Sequence, residues 1–466
     1  MFENFPRSSN AFLVEWLRSG RRKPLILRGA RQVGKTSLVR ALAKEQGLAL
    51  CEINLEKHLP LDAVFQSYDL RRINLELEAI TGIHPEKEGT LLFLDEIQAT
   101  PHALAALRYY HEESPQVPVI ATGSLLEFAL SRANFSMPVG RVIYHHLYPL
   151  SFREFLSVLA PELLRYLDAI SPDADLPDNA HQKLIEKYRE FLFVGGMPEA
   201  VAAYRETGSL AEVTEVHRSI IDTYHDDFHK YARQKDLLLL QKVFAQIPQK
   251  LARKTKFSQY DPEARTGEIR HAIDLLIKAR VCFPVVRSHC NGVPLAAEAD
   301  EKSFKLIFLD VGLAGHLLGL KWNSLQAMTE TDLVNEGGLA EQFVGQHLID
   351  LDQGRRAPEL HYWLREGKAN NAEVDYVVAL DGHLYPVEVK AGKSGSLKSL
   401  HQYMFQKNAT TAFRLDLNPP SRQQLSPNLR IQGTQEGTGQ VDFELLSLPL
   451  YAVTEINRLC NASSIP

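Results

Sequence analysis

The chain has 466 residues, of which 45% are hydrophobic and 23% charged, with a formal net charge of −5. That length exceeds one ordinary core and predicts three or four packed units of a globular protein. The charge excludes a global attraction to nucleic acid, so such binding would need a local basic surface. No run approaches the roughly 18 consecutive apolar residues of a membrane span, and the opening MFENFPRSSN lacks the basic-then-apolar order of a secretory signal. The four cysteines, Cys51, Cys282, Cys290 and Cys460, form no CxxC pair. This argues against a disulfide framework or thiolate zinc site, and the expectation is a reduced, cytoplasmic setting with no membrane partner.

Residues 1–150 alternate between short apolar runs and helical patterns, with strands expected at 24–28, 49–54, 91–95 and 117–122. Short runs without alternation suit a parallel sheet covered on both faces. Residues 151–235 read as helices, broken by SPDADLPDN at 171–179 and by GGMPE at 195–199, where paired glycines precede Pro198 at a first helical turn. Two amphipathic helices near 236–253 and 267–280 precede extended segments at 281–288 and 305–310, the order of a winged helix over 236–325. The remainder, 326–466, reads as a helix at 335–350, the strands HYWLRE, EVDYVVAL and HLYPVEVK, a helix at 396–406 and the strand TAFRLDL. The Pro/Gln/Gly/Ser-rich stretch 418–440 reads as a long surface loop.

The run GARQVGKT at 29–36 satisfies G-x-x-x-x-G-K-[ST] between a strand and a helix. Glycines let backbone N–H groups turn around a phosphate, and a helix N-terminus adds a favourable dipole. Gly29, Ala30, Arg31, Gln32, Val33, Gly34, Lys35, Thr36 and Ser37 are the expected nucleotide-binding residues. Lys35 would meet the β- and γ-phosphates, and the Thr36 hydroxyl would ligate Mg²⁺. TLLFLDEIQ supplies the partner: Asp95 would hold the metal and Glu96 would polarise the attacking water. ATP and Mg²⁺ are thus the expected ligands. Ser124, after VPVIATG, is a candidate contact to the γ-phosphate or the water, or else a Gly-Ser turn residue. Arg141 is a candidate arginine finger acting on a neighbouring subunit, or else part of a surface ion pair.

GARQVGKT, LLFLDEIQ, TGSLLEF, VGRVIYHHLYPLSFREFL and GGMPEAV resemble the bacterial and archaeal AAA-type ATPases whose chains end in a domain of unknown function. The resemblance implies an α/β fold with a P-loop AAA+ core at 1–150, a helical lid or bridge at 151–235, and assembly into rings or transient homo-oligomers. GGMPEA is a signature of that resemblance whose mechanical role the sequence does not disclose.

In the C-terminal part, Asp375 lies in EVDYVVAL, and Glu388 and Lys390 lie in YPVEVK. Alternation puts Glu388 and Lys390 on one strand face, and pairing of the two strands would bring Asp375 beside them. Two carboxylates and a lysine suit Mg²⁺-assisted attack of water on a phosphodiester, with Asp375 and Glu388 as metal ligands. The arrangement resembles the PD-(D/E)xK nuclease fold, in which Glu341 of the preceding helix would add a further acid. The alternative is a catalytically inactive module kept for DNA or protein contact, its charges forming an internal ion-pair cluster. KLARKTK at 250–256 offers four cations for phosphates, or a solvated helix end. His145 and His146 are adjacent on a strand, face opposite ways and are read as structural. The expected activity is ATP hydrolysis coupled to a C-terminal module acting on nucleic acid; the alternatives are a nucleotide-dependent binding switch and a protein-remodelling ATPase.

Overall fold

The apolar runs of the first 150 residues build one parallel sheet. β1 (Leu25–Arg28), β2 (Ala49–Asn54), β3 (Thr90–Asp95), β4 (Val119–Gly123) and β5 (Ile143–His146) stand in the order β2-β3-β4-β1-β5, every neighbour parallel. Side chains alternate between two cores: Leu25, Leu27, Leu91 and Phe93 face one, Ile26, Leu92 and Leu94 the other. With both faces covered, a polar residue on either side would cost several kcal/mol (roughly 2–7) unless hydrogen-bonded, so the strands read as unbroken apolar runs. The computed structural model describes residues 5–130, 140–173, 175–322, 337–366, 371–430 and 438–463.

Helices follow over the region expected to form the lid. Phe152–Leu159 opens on a capping box between Ser151 and Glu154, which satisfies two backbone donors reciprocally. Asp178–Val194, Pro198–Thr207 and Leu210–Tyr231 come next. The first expected helix of the middle region ends early, at Gln246, because Pro248 has no N–H to continue the ladder. A single 3₁₀ turn, Pro248–Lys250, takes over. KLARKTK is consequently not a helix end. It runs beside a later strand, with Lys254 bridged to Lys305 and Thr255 N–H donating to Phe304 O at 2.7 Å.

The helix Thr266–Lys278 leads into β6 (Cys282–Ser288) and β7 (Ala299–Phe308), an antiparallel pair in the order read from the sequence. That pair is not a free wing. β8 (Leu360–Arg365) pairs in parallel with β6, Val285 opposite Leu360, and the sheet continues through β9 (Ala372–Leu380), β10 (His383–Val389) and β11 (Thr411–Asp416). Eight strands result, in the order β12-β15-β11-β10-β9-β8-β6-β7, with β12 (Ser421–Leu425) and β15 (Phe443–Pro449) beyond β11. The strands on either side of the boundary expected at 325/326 therefore share one sheet: an open β6 edge would leave backbone donors and acceptors unpaired, and β8 satisfies them.

The stretch 418–440 also departs from its reading as a plain loop. β12 pairs with β15, and β13 (Asn428–Arg430) pairs with β14 (Thr438–Gln440) as a two-stranded ribbon. β12 is the sheet's edge and largely solvent-facing, where polar side chains blunt unwanted pairing. Its sequence therefore carries none of the apolar signal of an interior strand.

Candidate functional site: the 29–37 loop and the C-terminal carboxylates

β1 delivers the chain into the 29–34 loop, and the helix Lys35–Glu45 opens directly from Gly34, whose φ of 95° lies in the left-handed region that glycine tolerates. Gly29 is required for a different reason. A Cβ there would lie 2.3 Å from Leu147 O, because the chain after β5 crosses close by, Leu147 N–H donating to Arg28 O at 2.7 Å. Arg7 anchors the loop from outside, its Nη1 donating to Val33 O at 3.0 Å and its Nη2 to Tyr148 O at 2.6 Å. The Tyr224 hydroxyl donates to Arg31 O at 2.9 Å, while the Arg31 guanidinium pairs with Asp227. Ala30 and Val33 are buried, so their side chains serve the core and only their backbone can serve a ligand.

Lys35 Nζ donates to Gly29 O at 3.0 Å and to Ala30 O at 2.7 Å. Burial draws its pKa down to about 8 against the opposing charges of Glu96 and Asp95. β4 stands between β1 and β3, which sets Thr122 beside Asp95. One Asp95 oxygen accepts from Thr122 Oγ1 and the other from Thr36 Oγ1 at 3.1 Å. The Glu96 backbone is left-handed, at φ 53°. Its carboxylate accepts from Gln98 Nε2 at 2.5 Å and Ser124 Oγ at 3.3 Å. Burial pushes the Glu96 carboxyl up, but the Gln98 hydrogen bond and the charges of Lys35 and Arg31 outweigh it and leave it below the ordinary value. Glu96 is thus ionised at neutral pH, the state a water-polarising base needs.

Lys35, Thr36, Glu96 and Ser124 open on a cleft of about 300 Å³ that also touches Ser37, Pro198, Glu199 and Thr223. A nucleotide with Mg²⁺ fits this donor set: a hydroxyl and a carboxylate already meet at Thr36 and Asp95, both hard oxygen donors, beside a lysine short of partners other than loop carbonyls. Arg141 lies elsewhere. It is exposed and pairs with Glu112 at 2.7 Å, outside the residues that line the cleft. His145 and His146 are buried, the first bonded to Ser9 Oγ at 2.8 Å and stacked on Phe12. Burial holds their pKa values down to about 4 and about 3.

Sequence reasoning missed several of these partners. Thr122 and Gln98 sit next to the motifs and had a local signal, being polar residues in or after apolar runs. Arg7, Tyr224 and Asp227 had none, since only the fold brings them to the loop.

The C-terminal residues do converge, though not as a free acid pair. Asp375 Oδ2 accepts from Val389 N–H at 2.8 Å, and Lys390 Nζ pairs with Glu388 Oε1 at 2.6 Å. Lys305, on β7, enters the same cluster: its Nζ lies 3.3 Å from Glu341 Oε2 and 3.9 Å from Asp375 Oδ1, and pairs with Glu373. Burial first, then the Asp375 charge, pushes the Glu341 and Glu388 carboxyls up, while the Lys305 and Lys390 ammonium groups pull the other way. Among the described residues no group of three or more His, Cys, Asp or Glu side chains is arranged to hold a metal ion. The expected metal roles of Asp375 and Glu388 do not fit this arrangement, because two lysines already engage the carboxylates.

Three family descriptions match separate stretches of the chain. A model described as an AAA domain matches residues 21–156, and two domains of unknown function, DUF8612 and DUF4143, match residues 185–324 and 336–427. No curated protein matches. The structure of C. elegans PCH-2 is similar over 46% of this chain and 69% of that chain, at 15% identity and a TM-score of 0.28, a likeness too low to argue from. No helix among the described residues is long and apolar enough to cross a membrane. The segment that builds the cleft is similar to an AAA domain, which supports an ATPase-type, nucleotide-binding function for this chain.

Proposed function

We propose that the chain binds ATP with Mg²⁺ at residues 29–37 and hydrolyses it, and that the nucleotide state is passed to the C-terminal module. The observation that carries the reading is the meeting of Thr36 and Asp95 at 3.1 Å, with Thr36, Glu96 and Ser124 lining one cleft. Lys35 would leave its loop carbonyls for the β- and γ-phosphates, regaining its full charge. Thr36 and Asp95 would hold Mg²⁺, which neutralises charge on the phosphates when bound. Glu96 would orient and polarise the attacking water, and Ser124 and Gln98 would hold the Glu96 carboxylate in place.

A buried chain of hydrogen bonds supports the coupling. Pro198 and Glu199 line the cleft. Gly196 N–H, just before them, donates to Asp310 Oδ2 at 2.6 Å. Gln346 Nε2 reaches the same oxygen at 3.3 Å, and its Oε1 accepts from Val311 N–H at 2.8 Å. Gln346 and Glu341 share the helix Gly337–Leu348, so a shift at the γ-phosphate has a direct route to the C-terminal cluster. That gives GGMPE a mechanical role. The engaged carboxylates favour a nucleotide-dependent switch that binds DNA or a protein over one that cuts DNA. Arg253 and Lys256 are exposed and are the cations of 250–256 with which DNA contact would begin. Arg141 acting on a neighbouring copy belongs to the same reading as a requirement for assembly.

The test is a pair of variants. Lys35→Ala should abolish ATP binding, whereas Glu96→Gln should bind ATP normally and turn it over at least 100-fold more slowly, in the range general-base catalysis supplies (~10²–10⁴-fold). Hydrolysis by Glu96→Gln at the wild-type rate would show that another group polarises the water.

A further inference from the structure

Lys305 interrupts the apolar stretch that forms the second half of β7, yet its side chain is only 3% exposed. A buried ammonium is stable only among carboxylates or other acceptors. Lys305 finds them on two separate elements, Glu341 on the helix Gly337–Leu348 and Glu373 and Asp375 on β9. The Tyr362 ring adds a face 5.2 Å from its Nζ, and the Tyr376 hydroxyl fixes the Glu341 backbone by donating to its carbonyl at 2.8 Å. Three acids from two elements surround one cation, which neutralises them as a metal ion does in a hard-oxygen site, although with the lysine among them they are not spaced to hold a metal.

We propose that the Lys305 ammonium is the resident cation of the C-terminal carboxylate cluster, standing where a divalent ion would otherwise bind and leaving the site closed to metal. The inference rests on the carboxylate geometry and is independent of the ATP reading. Its consequence is a latent site. Lys305→Met keeps the length and apolar stem of the side chain but removes the charge, so Glu341, Glu373 and Asp375 are left facing one another around a vacated position. Hard-oxygen donors in that arrangement take Mn²⁺ or Mg²⁺. The cluster then acts in the native protein as an electrostatic clasp between β7, the helix and β9, not as a hydrolytic centre.

The experiment measures Mn²⁺ bound by the nucleotide-free full-length chain, by electron paramagnetic resonance of free Mn²⁺. Each protein is compared with the same protein carrying Asp375→Asn, which subtracts ions held at the 29–37 loop. Wild type should show no Asp375-dependent Mn²⁺. Lys305→Met should gain about one such ion per chain, and its melting midpoint should rise with Mn²⁺, since a ligand bound only by the folded state stabilises it. Folding of Lys305→Met only when Mn²⁺ is present also supports the proposal. An Asp375-dependent ion in wild type overturns it, as does a folded Lys305→Met that gains none. If Lys305→Met folds under neither condition, Lys305→Gln is measured in the same way, and a folded Lys305→Gln that gains no Asp375-dependent ion overturns the proposal.

Discussion

Lys35 is a lysine buried at the start of a helix. Its ammonium rests on two loop carbonyls, and burial lowers its pKa from 10.5 to about 8. Between those values the unfolded chain keeps a proton that the nucleotide-free fold sheds, so stability of the free protein rises with pH across that window. Polyphosphate reverses the balance, because it favours the charged lysine. ATP affinity should therefore be level below pH 8 and weaken by about tenfold per pH unit above it, with proton uptake on binding. Titration calorimetry from pH 7 to 9.5, in buffers of different ionisation heat, checks both; an unchanged dissociation constant across that range would mean that Lys35 does not carry the affinity. Most of this site was readable beforehand, because loop, lysine, threonine and acids lie in two short runs whose spacing is the chemistry. Glu96 was readable too, though its left-handed backbone and its Gln98 and Ser124 partners were not. Ser124, expected to touch the γ-phosphate or its attacking water, lines the cleft and donates to the Glu96 carboxylate.

Among the elements, the turn at 195–197 shows how much a short signature can conceal. Gly195 takes φ 72° with Asp310 against the place of its absent Cβ, and Gly196 leaves 2.1 Å between a would-be Cβ and Leu150 O. Leu150 N–H donates to Gly196 O at 2.6 Å, so neither backbone can retreat from the other without breaking that bond. Gly196→Ala should therefore cost several kcal/mol, ~3 or more, or prevent folding. Asp310→Ala leaves the N–H groups of Gly196 and Leu313 without their acceptor, which should cost roughly 2–4 kcal/mol. Thermal and urea unfolding measure both, and an Asp310→Ala midpoint within error of wild type would show that the buried carboxylate does not hold the 195–197 turn in place. The sequence marked this turn as an interruption but could not supply its partner, which lies 114 residues away. The same limit hid the pairing of β6 with β8 and the place of Lys305: each is a long-range contact with no local pattern. β12 escaped for the opposite reason, its polar edge sequence being what a loop also looks like.

Across the whole molecule, several contacts join the C-terminal part to the rest, the Lys305 ion pairs among them. β8 hydrogen-bonds to β6. Gln342 exchanges two hydrogen bonds with the backbone of Phe308, at 2.6 and 2.8 Å. The Phe343 ring sits 4.8 Å from Tyr188, 5.6 Å from Phe191 and 6.1 Å from Phe152 by ring centroids, three aromatics of the helical region. A cut at the boundary suggested by the sequence would expose the β6 and β8 edges together and strip those rings of their partner. Each buried aromatic contributes about 2–3 kcal/mol through its apolar area, and a bare interior edge is a template for aggregation. Separately produced pieces 1–325 and 326–466 should thus fail as independent folds, the second giving broad melting by circular dichroism and association on gel filtration. Produced together, they should re-form a complex with one cooperative transition, since the contacts that join them are non-covalent and extensive. A 326–466 piece that melts sharply as a monomer would show that the sheet is two domains laid edge to edge. The buried path from Pro198 through Asp310 and Gln346 would then cross a joint able to open, and nucleotide turnover would act on the position of the C-terminal module as a body instead of on its internal geometry.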